Sequence, residues 1–211
     1  MAQEQDHLKA LTEIRTLMEQ SSRFISLSGL SGIFAGIFAL LGALVAYFYM
    51  NIDILNDKYY ELAFIDKRLN VNFLVFFFTD AMVVLTLALG VGFYFTYRNA
   101  RKKNTVVWTP ATKRLTINTL IPLVAGGFFC LLLVYNHVIY LVAPATLIFY
   151  GIALINGSKY TLNDVRYLGI SEIILGLTGC LWVGYGLIIW AIGFGVLHII
   201  YGAVMFYKYE K

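Results

Sequence analysis

Three ionisable side chains fall inside long apolar stretches of this sequence: Asp80, Glu172 and His198. Such groups are costly in hydrocarbon, so they are expected to face the interior of a helix bundle and to find partners there. Glu172 and His198 share a local pattern, Gly169-x-x-Glu172-x-x-x-Gly176 and Gly195-x-x-His198-x-x-x-Gly202. At about 100° per residue, each side chain lies on the same helical stripe as its flanking glycines. The two positions are symmetric about Tyr185 in the connector Gly184-Tyr185-Gly186. An antiparallel hairpin turning there sets Glu172 level with His198, and the two are predicted to face each other.

Other polar groups fall at comparable depth. At 1.5 Å per residue Glu172 and His198 lie roughly 8 and 14 Å from the span ends, on the side where Ser28 and Ser31 begin the first span and Asn118 begins the third. Asp80 enters from the opposite side and is expected nearer the midplane. The expected arrangement is one polar cluster between spans 1, 5 and 6, plus one deeper carboxylate.

That set of residue types supports three chemistries. The plainest is a hydrogen-bonded clasp holding spans 5 and 6, with Asp80 tied to Thr79 or to a hydroxyl on a neighbouring helix. The second is a proton or cation relay in a small transporter, which needs carboxylates at staggered depths. No inverted repeat and no matched pair of broken helices is legible to mark a substrate site. The third is an intramembrane hydrolase with Ser28 or Ser31 as nucleophile, His198 as base and Glu172 as orienting acid. Nothing like Gly-x-Ser-x-Gly surrounds those serines, so the reading leans away from an enzyme. A relay or triad requires a watery opening to Glu172 and His198, whereas a clasp is dry.

Cofactor chemistry finds no foothold. The histidines, His7, His137 and His198, lie in three separate segments, and no metal-ligand cluster, phosphate loop or dinucleotide fingerprint is present. Cys130 and Cys180 both lie in apolar stretches and read as small packing residues.

The elements that must position these groups follow from composition. Only 13% of the 211 residues are charged and 60% are hydrophobic, against about 25% charged in a soluble domain. Apolar runs long enough for a bilayer core, about 20 residues, occur near 24 to 49, 72 to 97, 115 to 135, 138 to 156, 167 to 185 and 188 to 207. The expected fold is an all-α, polytopic membrane protein, a bundle of six transmembrane helices made from three hairpins. The first span follows about 23 polar residues and should act as an uncleaved anchor.

Orientation comes from the basic residues. Arg98, Arg101, Lys102, Lys103, Lys113 and Arg114 sit between spans 2 and 3, and a short basic connector belongs on the cytoplasmic side. That choice places thirteen of the sixteen Lys and Arg residues inside, together with both termini. Lys58, Lys67 and Arg68 are the exceptions, in an acidic 50 to 71 connector. The net charge of +4 thus reports topology and not nucleic acid.

Residues 1 to 23 carry Leu8, Leu11, Ile14, Leu17 and Met18 at helical spacing over 5 to 22, predicting an amphipathic cytoplasmic helix. It would lie on the membrane surface or dock a membrane partner protein or a second copy. Residues 24 to 207 form the membrane domain and 208 to 211 a cytoplasmic tail. Ser28, Gly32 and Gly36, followed by Ala39 and Ala43, give span 1 a small-residue face for close helix packing within the chain. Pro122 and Pro144 are expected to loosen spans 3 and 4.

The segments SSRFISLSGLSGIFAGIFALLGA (21 to 43) and GFGVLHIIYGAVMFYKYEK (193 to 211) resemble those of uncharacterised six-span membrane proteins from bacteria of the Bacteroidota type. The resemblance implies a bacterial inner membrane and carries no activity. The expected function is that of a small proton- or cation-linked transporter or an accessory membrane subunit, with the intramembrane hydrolase as the alternative.

Overall fold

The computed structural model describes residues 24, 27–51, 59–66, 68–103 and 106–211; the expected amphipathic segment 5 to 22 lies outside them. The apolar runs form helices α1 (Gly29–Met50), α2 (Val71–Lys102), α3 (Pro110–Tyr135), α4 (Val142–Ser158), α5 (Asp164–Leu181) and α6 (Gly186–Tyr209). Five helical segments are long and apolar enough to cross a membrane: α1, α2, α3, α6, and α4 with the turn before it, Ile139–Ser158. The exception is α5, whose 18 residues include Asp164, Arg166 and Glu172.

Local chemistry sets the helix ends. The Asn70 side chain accepts from the Phe73 amide to cap α2, and Thr109 accepts from Thr112 ahead of Pro110 at the start of α3. Helix α2 continues through Arg98, Arg101 and Lys102, so much of the basic cluster is mounted on a helix end and not in a loop. Pro144 sits in the first turn of α4, where its missing N–H is harmless, and so does not interrupt that helix as expected; Pro122 does lie inside α3. Gly184, at φ 105, makes the turn between α5 and α6. In the connector after α1, a 3-10 turn at Tyr59–Ala63 leads into a short antiparallel pair, β1 (Phe64–Ile65) and β2 (Arg68–Leu69).

The closest packing is between α4 and α5 and between α1 and α6. Helix α2 lies on α1 and α3 lies on α4. None of the apolar window of α2 is buried within the protein, which fits a helix solvated by lipid. The consecutive pair α5 and α6 touches more sparsely than either close pair.

Both close pairs are antiparallel and lined by glycine. A Cβ at Gly36 would lie 2.5 Å from the Gly195 carbonyl oxygen and 2.7 Å from Ile199 Cγ1. A Cβ at Gly151 would meet the Gly169 carbonyl and Ile173 Cγ1 at the same 2.5 and 2.7 Å. The match extends along both seams, since Gly202 packs on Gly29 and Ile33 as Gly176 packs on Pro144 and Ile148. Aligned by these contacts, Ile33-Phe34-Ala35-Gly36-Ile37 of α1 falls on Ile148-Phe149-Tyr150-Gly151-Ile152 of α4. On the same basis the Glu172 motif of α5 falls on the His198 motif of α6. The chain therefore contains a repeat of which the sequence showed only the Glu172 and His198 motifs, because one matched pair, α4 and α5, is consecutive while the other, α1 and α6, joins opposite ends of the membrane domain.

Candidate functional site

Glu172 and His198 meet where the two seams face each other. Glu172 is 0% exposed and His198 6%, and the Glu172 Oε1 atom lies 3.4 Å from His198 Nδ1. The registration about Tyr185 thus brings the predicted pair together. The pair is not a tight clasp, however. His198 Nδ1 lies 3.0 Å from the Gly193 carbonyl oxygen, which can only accept, so Nδ1 carries the proton. The other ring nitrogen, Nε2, then accepts from the Tyr150 hydroxyl at 2.8 Å. Among the described residues neither Glu172 oxygen has a hydrogen-bond partner.

The backbone of α6 makes this geometry. Residues Ala191–Leu197 form a π-helical stretch ending at His198, a distortion frequent at functional sites. It presents the Gly193 carbonyl to the His198 side chain five residues on. Gly193 also lets α6 lie against the carboxyl, because a Cβ there would sit 2.6 Å from Glu172 Oε2 and collide with Leu147. Phe194 stacks on His198 with ring centroids 5.9 Å apart and contacts Trp190 and Tyr150 at 5.0 Å each. These rings wall the imidazole, and the site is closed.

The remaining predicted residues lie elsewhere. Ser28 donates to Glu210 Oε2 at 3.2 Å, and Ser31 donates to the Ser28 carbonyl oxygen at 2.5 Å. Ser28 adjoins Gly29, which packs on Phe206 and Gly202 away from His198, whereas Ser31 adjoins Gly32, where an added Cβ would lie 3.4 Å from the His198 carbonyl oxygen; neither hydroxyl joins the pair. Asn118 donates to the Arg114 carbonyl on its own helix. Asp80 faces α1, its Oδ2 atom 3.3 Å from where a Cβ on Gly42 would stand, and it is not bonded to Thr79 among the described residues. The polar cluster therefore lies between α4, α5 and α6, and α1 contributes no polar side chain to it. Cys130 and Cys180 are both free and partly buried.

Sequence reasoning missed Tyr150, the Gly193 carbonyl, Tyr201 and Glu210. Tyr150 stands where the matched stretch of α1 has Ala35, a contrast that appears only once the contacts align the two helices. Glu210 caps α1, accepting from the Gly29 amide at 2.5 Å as well as from Ser28, a favourable place for a carboxylate. Beside it, Asp164 at the start of α5 accepts from Lys208 Nζ at 2.9 and 3.0 Å and from the Tyr209 hydroxyl at 2.5 Å. The Tyr209 hydrogen bond, and then Lys208, hold the Asp164 carboxyl below the usual carboxylate range. The last residues of α6 thereby tie the starts of α1 and α5 together at one end of the bundle.

No family model matches this chain, and neither a curated protein nor a solved structure does.

Proposed function

We propose that the chain is a proton-linked transporter of a bacterial inner membrane, crossing it six times with both termini cytoplasmic, and that Glu172 is the carboxyl whose protonation it couples to transport. The observation that carries this reading is the state of Glu172: fully enclosed, with no hydrogen bond to either oxygen among the described residues. A carboxyl kept only for stability would be better replaced by an apolar residue of similar volume or used in a satisfied hydrogen bond. An idle carboxyl beside an imidazole is suited to gaining and losing a proton.

The duplicated seam supports the same reading. With six crossings, α1 and α4 run in opposite senses, as do α5 and α6, so the repeat is inverted. Inverted repeats meeting at a buried polar site are a recurrent basis of alternating access, in which one half rocks against the other. The closed surroundings of Glu172 are by themselves what a clasp predicts; in a transport cycle they are the occluded state, and the watery opening a relay needs belongs to another state of the cycle. A hydrolase is disfavoured, because the free lone pair of His198 is taken by Tyr150 and the hydroxyls of Ser28 and Ser31 are engaged elsewhere.

The test is proton flux in reconstituted vesicles carrying a trapped pH-sensitive dye. The wild-type protein should move protons faster than empty vesicles, and Glu172→Gln and His198→Ala should abolish the excess. Wild-type vesicles no leakier than empty ones under an imposed gradient would refute the transport reading and leave an accessory subunit.

A further inference from the structure

The buried side-chain atoms without a hydrogen-bond partner among the described residues are three: the two oxygens of Glu172 and the hydroxyl of Tyr201. The first two are explained if Glu172 exchanges a proton; the third has no role so far. Tyr201 follows His198 by three residues and precedes Lys208 by seven, so the three share one stripe of α6. At 1.5 Å per residue it stands about 4.5 Å along the axis from His198 and about 10 Å from Lys208. On α5, Glu172 is level with His198, and Asp164 is held by Lys208 and Tyr209. Tyr201 therefore occupies the interval between the buried centre and the polar end.

We propose that Tyr201 is the connecting hydroxyl on the proton's route between Asp164 and the buried Glu172, His198 and Tyr150 centre. This rests on the transport reading and names the path that serves its site. In the state of the cycle that opens to the Asp164 end, a proton carried by the water admitted there adds to the Tyr201 oxygen as Tyr201 releases its own hydroxyl proton inward. That proton passes through water to the Tyr150 oxygen, and Tyr150 gives its hydroxyl proton to His198 Nε2 across the 2.8 Å hydrogen bond. His198 then releases its Nδ1 proton to Glu172 Oε1, 3.4 Å away. Each tyrosine ends with one hydroxyl proton, the imidazole changes tautomer, and Glu172 gains the one proton that entered. The groups facing this path are Tyr150 from α4, Asp164 and Glu172 from α5, and His198, Lys208 and Tyr209 from α6.

A purely structural Tyr201 makes a different prediction, since a buried hydroxyl without a partner is no loss when replaced by Phe. The experiment follows the carboxylic C=O infrared band of Glu172, assigned by its absence in Glu172→Gln, after a pH jump applied to the full-length protein in vesicles. In Tyr201→Phe the band should reach the wild-type amplitude about 10²-fold more slowly, the size of effect expected of a positioned proton-transfer group, at an unchanged melting temperature. Asp164→Asn, at the entrance, should slow the same phase. Wild-type band kinetics in Tyr201→Phe would overturn the assignment. Failure of the transport reading is seen separately, as absence of dye-reported flux in the wild type, because the band reports access of protons to Glu172 whether or not they cross the membrane.

Discussion

The Tyr150 hydroxyl and His198 Nε2 lie 2.8 Å apart, and this contact joins the two seams. Tyr150 rises from the α4 and α5 pair, while His198 belongs to α6, which packs on α1. With Nδ1 directed at the Gly193 carbonyl, both imidazole nitrogens are engaged, while among the described residues the Glu172 carboxyl has no hydrogen bond. In the matched stretch of α1 the Tyr150 position is Ala35, so the repeat gives its imidazole a phenol partner and its carboxyl none.

Tyr150→Phe leaves Nε2 without its donor. The variant should lose about 1 kcal/mol of stability, read as earlier unfolding in detergent, and its proton flux should fall with little change in expression. A variant that matches the wild type in both stability and flux would show that the hydroxyl is dispensable.

The equivalence of the seams predicts paired mutational effects. Gly36→Ala and Gly151→Ala each push a methyl group into a facing backbone carbonyl at 2.5 Å, and should destabilise by a similar amount, about 1–3 kcal/mol. At Gly90 and Gly127 an added Cβ meets nothing within 4 Å, so Ala there should be neutral or stabilise by about 0.5–1 kcal/mol. Parallel unfolding curves for the four variants check the pattern; a large loss at Gly90 or Gly127 would point to a contact outside this chain.

Acid should loosen the polar end. The Asp164 carboxyl titrates below its ordinary 3.8 because the charged form accepts from Tyr209 and Lys208. With the folded value depressed, its stabilisation is complete above that ordinary value and is lost as pH falls through the lower folded one. Asp164→Asn should therefore melt earlier than wild type by a constant margin from pH 5 to 7, and the margin should vanish in stronger acid. A difference that grows on acidification contradicts the assignment.

Topology is open to labelling. In a background with Cys130 and Cys180 replaced by Ala, cysteine introduced at Asn136 should react with an impermeant reagent in intact cells. At Lys102 and Lys211 it should react only after permeabilisation. Labelling of Lys211→Cys from outside would require an odd number of crossings or the reverse orientation.

The apolar runs, and the level of Glu172 with His198, were legible in the sequence because both depend on quantities local to the chain. Bilayer thickness sets the run length, the helical period sets the stripe, and symmetry about Tyr185 sets the register of an antiparallel neighbour. The small-residue face of α1 was legible for the same reason. Which helix that face meets was not. Lipid and protein interior are both apolar, so no polar face marks the outside of a membrane helix, and shape complementarity between glycine seams chooses the partner. Only the tertiary structure could pair α1 with α6 and α4 with α5, direct Ser28 to Glu210, and deliver Tyr150 to the imidazole from a helix nearly fifty positions away. By itself the sequence determined that a carboxyl and an imidazole would meet inside the bundle. The fold decided that the imidazole would be satisfied and the carboxyl left open.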